Sequence, residues 1–200
     1  MSTKYYFEGS LITAPLSISS ADVIIASETV TLKRLIHKTQ AQRWDLSFGL
    51  LVQGNQAGNF LGMIENTHTV ATMDMPQLVE VEAATTITGN MTASNNYTAG
   101  ATNIIAANSS GGTLPKGSFI KFNGHTKIYV TTTDWTSDGD NFDIYPSLRQ
   151  DVLLAEQITH ANSTTKPQLS YLRETDTISG ISYNDGILAT VGSITIKEVV

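Results

Sequence analysis

Alternation of apolar and polar positions recurs along this chain more often than the spacing of a helix face, so strands dominate the expected structure. From Gln42 to Val52 the order Gln, Arg, Trp, Asp, Leu, Ser, Phe, Gly, Leu, Leu, Val sets Trp44, Leu46, Phe48 and Leu50 on one face of a half-buried strand. Trp44 and Phe48 are therefore expected in the core. Tyr5 to Ile12 is aromatic and aliphatic and closes at Ala14-Pro15, a pairing that discourages helix before the proline; Val23-Ile24-Ile25 follows as a second apolar run. Two separate strand-like segments are expected there. Between Asn55 and Asn66 the period changes. Ala57, Phe60, Leu61 and Ile64 recur at helical offsets and Asn55 can cap the first turn, which predicts one short helix, weakened by Gly58 and Gly62.

Beyond Met75-Pro76 alternation returns with Leu78, Val79 and Val81 and leads into a Thr-, Asn-, Ala- and Gly-rich region from Ala83 to Gly112. Ile87, Met91, Tyr97, Ile104 and Ile105 supply core candidates within it, so short strands joined by generous turns are expected. Pro115-Lys116-Gly117 reads as a turn, Phe119 to Phe122 as a strand, and Asn123-Gly124 as a hairpin dipeptide. Strands at Lys127 to Thr132 and Phe142 to Tyr145 flank a second turn, Ser137-Asp138-Gly139-Asp140. Three short strands this close make a meander or small barrel. A last hairpin pairs Ile178 to Tyr183 with Ile187 to Val200 around Asn184-Asp185-Gly186. The fold class is thus mainly β. Residues 1–82 and 152–200 are expected to form one sheet-based domain, with a β-barrel-like module at 83–151 inserted between them.

Composition narrows the chemistry. Cysteine is absent, which excludes disulfides, thiolate metal sites and a cysteine nucleophile. Charged residues make up 15% of the chain and the formal net charge is -6, with no basic run longer than Lys33-Arg34, so no surface for gripping phosphates is written here. The first eight residues include Glu8 and lead into no apolar leader, and no stretch approaches the length of a membrane span; a soluble protein made in a cytoplasm is expected, with no membrane partner.

Candidate catalytic and metal motifs fail one by one. His37, His68, His125 and His160 share no ligand spacing and read as exposed or core-satisfied histidines. Asp134, Asp138, Gly139 and Asp140 fit four positions of a calcium loop, but Thr136 and Tyr145 stand where ligands are needed, so the aspartates read as turn residues. Gly111-Gly112-Thr113 lacks the ending of a phosphate loop. Glu80 and Glu82, on one strand face, would be the last resort for a glycosidase, and solvated strand charges explain them as well. No catalytic, cofactor-binding or metal residue is assigned, and no cofactor is expected. Trp135, beside polar turn residues, is the one nominee for surface recognition, of a sugar or of a protein neighbour.

The stretch from Gly112 through Pro115-Lys116-Gly117 and Phe119 to Phe122, on through His125 to Val130 and ending in Tyr145-Pro146-Ser147-Leu148-Arg149, resembles a module of bacteriophage tail and baseplate proteins. Gln42 to Phe48 with its following helical segment is similar to the strand-helix step of the tube-like domain in that group, and Asp185-Gly186 to Val200 is similar to its closing hairpin. The resemblance implies a tail-tube-like β-sandwich domain carrying a small barrel. It implies a structural virion protein, assembled in the host cytoplasm, that forms a ring of roughly six copies joining the tail tube to the baseplate hub. Its partners would be further copies and the neighbouring tube and hub proteins, with genomic DNA passing through unbound. The alternative is a carbohydrate-recognising module of a tail fibre or receptor-binding protein, with Trp135 as its platform.

Overall fold

The computed structural model describes residues 4–7, 9–28, 34–52, 69–108, 111–173, 181–184 and 187–199. It is mainly β, with one short helix among the described residues. The strands are β1 (Tyr6–Phe7), β2 (Ser10–Glu28), β3 (Arg34–Leu51), β4 (Ala71–Asp74), β5 (Met91–Ala93), β6 (Asn103–Ala107), β7 (Phe119–Phe122), β8 (Tyr129–Thr131), β9 (Asn141–Tyr145), β10 (Gln157–Thr159), β11 (Gln168–Arg173), β12 (Ile181–Asn184) and β13 (Ile187–Glu198). Helix α1 (Val79–Ala84) lies between β4 and β5. The helix expected at Asn55 to Asn66 lies outside the described residues.

A seven-stranded antiparallel sheet runs β1-β2-β3-β13-β11-β4, with β12 on β13; the other six strands close a barrel in the order β10-β5-β6-β9-β8-β7. The chain leaves the sheet after β4 and returns at β11, and these two strands pair with each other from Gln168↔Asp74 to Tyr171↔Ala71. Exit and entry are thus adjacent, so the barrel hangs from neighbouring strands. Its closing strand, β10, lies beyond residue 151, where the sequence division ended the inserted module, and the first sheet strand after it is β11.

Period-two burial builds both cores. Trp44, Leu46, Phe48 and Leu50 point inward with Phe7, Tyr171, Ile194 and Ile196, and rings such as Phe7 and Phe48 meet edge to face at 5.1 Å. Strand β7 serves two cores at once: Phe119 packs into the sheet cluster, while Ile120 and Phe122 fill the barrel with Tyr129, Trp135 and Phe142. The barrel wall is therefore the second layer over the sheet.

Two local expectations need correction. Strand β2 continues through Ala14-Pro15 instead of ending there. Its register against β3 shifts between Thr13↔Gly49 and Ser17↔Ser47, so two more residues on β2 than on β3 fall inside the shift, where Pro15 has no ladder bond to donate. Val79 to Ala84 is helical where alternation predicted strand. The helix buries none of its residues and is held by polar bonds: the Tyr5 hydroxyl accepts from the Gln77 backbone N–H at 2.9 Å and donates to Glu82, whose carboxylate also pairs with Lys166. Acids in its first turn favour that end of the helix.

Candidate functional site

The junction between barrel and sheet concentrates the unusual chemistry. Lys127, just before β8, and Glu198, at the end of β13, form an ion pair with side-chain exposures of 1% and 0%. The carboxylate also accepts the backbone N–H groups of Trp44 at 3.0 Å and Ile128 at 2.8 Å. Trp44 returns a bond through its indole N–H to the Ile128 carbonyl at 2.9 Å, and its ring lies 5.6 Å from the ammonium. Burial pushes the Lys127 amine down to about 8, against the pull of the Glu198 carboxylate. Such a pair is costly to bury and rewards one geometry, so it fixes how barrel and sheet sit together.

A second polar link joins the barrel to the β2–β3 ribbon. Tyr145 donates its hydroxyl to both Asp22 carboxylate oxygens at 2.6 and 2.7 Å, Ser20 donates to the same hydroxyl oxygen, and Gln42 donates to Ser20. Burial first, and then the Asp22 bond, raise the Tyr145 phenol. Gln77 completes the seam with its side-chain amide, which donates to the Phe119 carbonyl at 2.9 Å and accepts the Phe119 N–H at 3.0 Å, imitating a neighbouring strand.

Beside this seam the ribbon kinks. The β2–β3 register shifts between Asp22↔Gln42 and Ile24↔Lys38, and a cleft of about 330 Å³ opens there, lined by Ala21, Asp22, Val23, Ala41, Arg43 and Arg149. A smaller cavity of about 190 Å³ shares Asp22 and Val23 and reaches Tyr145 and Pro146. Arg43 pairs with Asp45 at 3.0 Å.

Trp135 is not at the surface. It is fully buried in the barrel core, its indole N–H donates to the Ala106 carbonyl at 3.3 Å, and its backbone bridges Leu114, so it presents no platform to a sugar. Its flanking polar residues point outward because extended backbone alternates sides, and that alternation was the overlooked signal. The aspartates of the rejected calcium loop serve separate turns: Asp134 accepts from Lys116 N–H, Asp138 from Asn108 N–H, and Asp140 from the hydroxyls of Ser137 and Thr136, which hold it below the usual carboxylate range. Among the described residues no group of three or more His, Asp or Glu is arranged to hold a metal, and no helix is long and apolar enough to cross a membrane. Glu80 and Glu82 lie two apart on α1 and so do not share a face.

His125 bonds the Tyr129 hydroxyl at 2.9 Å, and burial raises that phenol to about 12. His160 is fully buried, and burial pushes it below the ordinary imidazole value, opposed in part by the Gly89 backbone. The side chains of His37 and His68 lie outside the described residues. Lys127 and Glu198 escaped sequence reasoning, yet both carried a signal. Glu198 continues the inward run Ile194, Ile196, and Lys127 shares the inward parity of Tyr129.

Compared with models of known protein families and with curated proteins, the chain matches none of them.

Proposed function

We propose that this chain is a non-enzymatic structural subunit that acts by assembling with copies of itself into a closed ring of roughly six, within a bacteriophage tail or baseplate. The observation that carries the self-association is the β2–β3 ribbon. Strands of 19 and 18 residues reach on the order of 60 Å at about 3.3 Å per residue. The outer part, from Ile24↔Lys38 to Glu28↔Arg34, pairs with no third strand among the described residues. A two-stranded ribbon is marginal by itself, and its edges are templates for another chain. A neighbouring copy that covers the ribbon supplies the missing layer, and a head-to-tail contact that closes on itself yields a ring.

The Lys127–Glu198 pair adds a second support, because it holds barrel and sheet as one piece that docks without internal adjustment. Placement in a tail, beside tube and hub proteins, rests on the resemblance of the three sequence stretches named above. The net charge of -6 would then keep passing DNA from adhering to the lumen. Native mass spectrometry and electron microscopy of concentrated protein test the reading. Rings that leave duplex DNA unshifted at low salt are expected. Trimers would instead favour a fibre-type module, and a strictly monomeric protein or tight DNA binding overturns the proposal.

A further inference from the structure

We propose that Asn123 is a site of spontaneous deamidation and that Glu156 sets its pace by holding the backbone N–H of Gly124. The inference concerns a modification of the barrel and stands apart from the assembly reading.

Asn123-Gly124 is the one Asn-Gly pair in the chain, and both residues are exposed where β7 ends. Asparagine followed by glycine is open to ring closure, because no Cβ on the second residue obstructs the approach of its nitrogen to the carboxamide. In the reaction the Gly124 nitrogen gives up its proton to water and bonds to Asn123 Cγ. The Cγ–Nδ2 bond breaks, and ammonia leaves with a proton taken from water. Water then opens the resulting succinimide at one of its two carbonyls, giving aspartate or isoaspartate. Water is the only co-reactant.

The attacking nitrogen is already engaged. Gly124 N–H donates to Glu156 Oε1 at 2.9 Å, and the other oxygen of that carboxylate accepts Leu153 N–H at 3.0 Å. On either side, Asn123 N–H donates to the Gln157 carbonyl at 2.9 Å and His125 N–H to the Phe122 carbonyl at 3.0 Å. Three consecutive N–H groups are thus tied, the outer two to backbone and the reacting one to a charge. The carboxylate opposes the first step twice. An anion at hydrogen-bond distance disfavours negative charge on the nitrogen, and the bond pins the peptide plane that must turn toward the carboxamide. As a base it contributes little, because a carboxylate is far too weak to take the proton of an amide. Restraint therefore outweighs assistance. The contact is close enough that a Cβ on residue 124 would stand 3.0 Å from the same Glu156 oxygen.

Deamidation leaves a carboxylate at residue 123, next to the Gly124–Glu156 bond, where it repels Glu156. The isoaspartate form also adds a carbon to the main chain just after Phe122, which pairs with Ile158. Either product loosens the closure of the barrel between β7 and β10.

Peptide mapping that resolves aspartate from isoaspartate, applied to the full chain aged in mildly alkaline buffer, provides the test. Parent, Glu156→Gln and Glu156→Ala are compared, each also aged in urea, with near-UV circular dichroism to confirm the folds. Conversion at Asn123 should be roughly tenfold faster in folded Glu156→Ala than in the folded parent, the effect of losing a hydrogen bond to a charged group. Glu156→Gln keeps an acceptor without the charge and should fall between them. In urea all three should convert at one rate, since the bond is gone. Gly112→Ala controls for a general loss of stability, because Glu156 stays in place, and it should age nearly as the parent does. Equal rates in the folded parent and both Glu156 variants overturn the role of Glu156. Gly112→Ala converting as fast as Glu156→Ala, or the same ratios persisting in urea, overturns that role as well. Conversion that maps to other asparagines, with Asn123 intact in every folded sample, overturns the site.

Discussion

Lys127 and Glu198 meet across the seam between the barrel and the sheet with both side chains out of reach of solvent. The carboxylate is the hub, because it also holds the N–H groups of Trp44 and Ile128. Glu198→Ala leaves a buried ammonium and two orphaned donors. Lys127→Met leaves a carboxylate that keeps two backbone partners. Removing one partner of a buried pair costs about 3–5 kcal/mol, and the glutamate change is expected at or above that range with the lysine change below it. Urea unfolding of both variants and the double variant decides this; equal losses would mean that the backbone bonds contribute little.

Stability is expected to rise with pH between about 8 and 10 and then fall. The Lys127 amine titrates near 8 when folded and at 10.5 when unfolded, so in that interval the unfolded chain binds more protons and stability grows with pH. Tyr5 and Tyr129 run the other way. Their phenols move from 10.0 to about 12, so the stability they contribute is complete below 10 and is lost as pH climbs through 12. Lys127→Met should flatten the rise and Tyr129→Phe should soften the fall in thermal melts at stepped pH. A rise that survives the lysine change contradicts the assignment.

On the acid side the buried His160 works against stability. Its folded value lies below the ordinary 6.5, so the unfolded chain takes up a proton first and stability declines as pH falls through that value. His160→Phe removes the titration from this buried site. The melting curve between pH 7 and 5 should become flatter than the parent's, and an unchanged slope would assign the decline to other groups.

Much of the fold is written in parity. Trp44, Leu46, Phe48 and Leu50 stand inward as their alternation implies, and Phe119 to Phe122, Asn141 to Tyr145 and the closing hairpin are strands near their expected places. The same rule covers Trp135, whose polar neighbours drew attention from its own side of the backbone. The helix at Val79 to Ala84 was illegible because no apolar face specifies it; its bonds come from Tyr5 and Lys166, distant in sequence. The junction was hidden for a similar reason. Lys127 and Glu198 each look like an ordinary strand charge until the topology brings their inward positions together across 71 residues.

Gly112 is expected to resist substitution for a reason unrelated to phosphate binding. It sits at φ 118°, and a Cβ there would lie 2.7 Å from Ile87 Cα and 2.8 Å from Ile87 N, backbone atoms that cannot rotate aside. Thr86 and Thr113 exchange bonds across this approach, so the two segments cannot part without losing them. Gly112→Ala should destabilise by more than about 1 kcal/mol, whereas Gly100→Ala, with no atom near its Cβ, pays only for its φ of 93°. A smaller loss at Gly112 than at Gly100 would show that the close approach relaxes.

The base of the ribbon is held from the barrel. Tyr145 reaches Asp22 from the barrel with a bond to each carboxylate oxygen, and Ser20 and Gln42 extend the link to both ribbon strands. The register shift beyond Asp22 interrupts the ladder, so the Tyr145 bonds are the anchor nearest the point where the ribbon bends. Because the group is partly solvated, Tyr145→Phe should cost only about 1 kcal/mol in global stability. Its larger effect should be local, since an outer ribbon with two strands opens more easily once its base loosens. Hydrogen exchange should therefore quicken from Ile24 to Glu28 and from Arg34 to Lys38 while the barrel amides hold their rates. Asp22→Asn should produce the same pattern, and the double variant should add little to either single change, because both remove one link. Additive effects, or acceleration spread evenly over the barrel, would show that Tyr145 and Asp22 do not act together as the anchor.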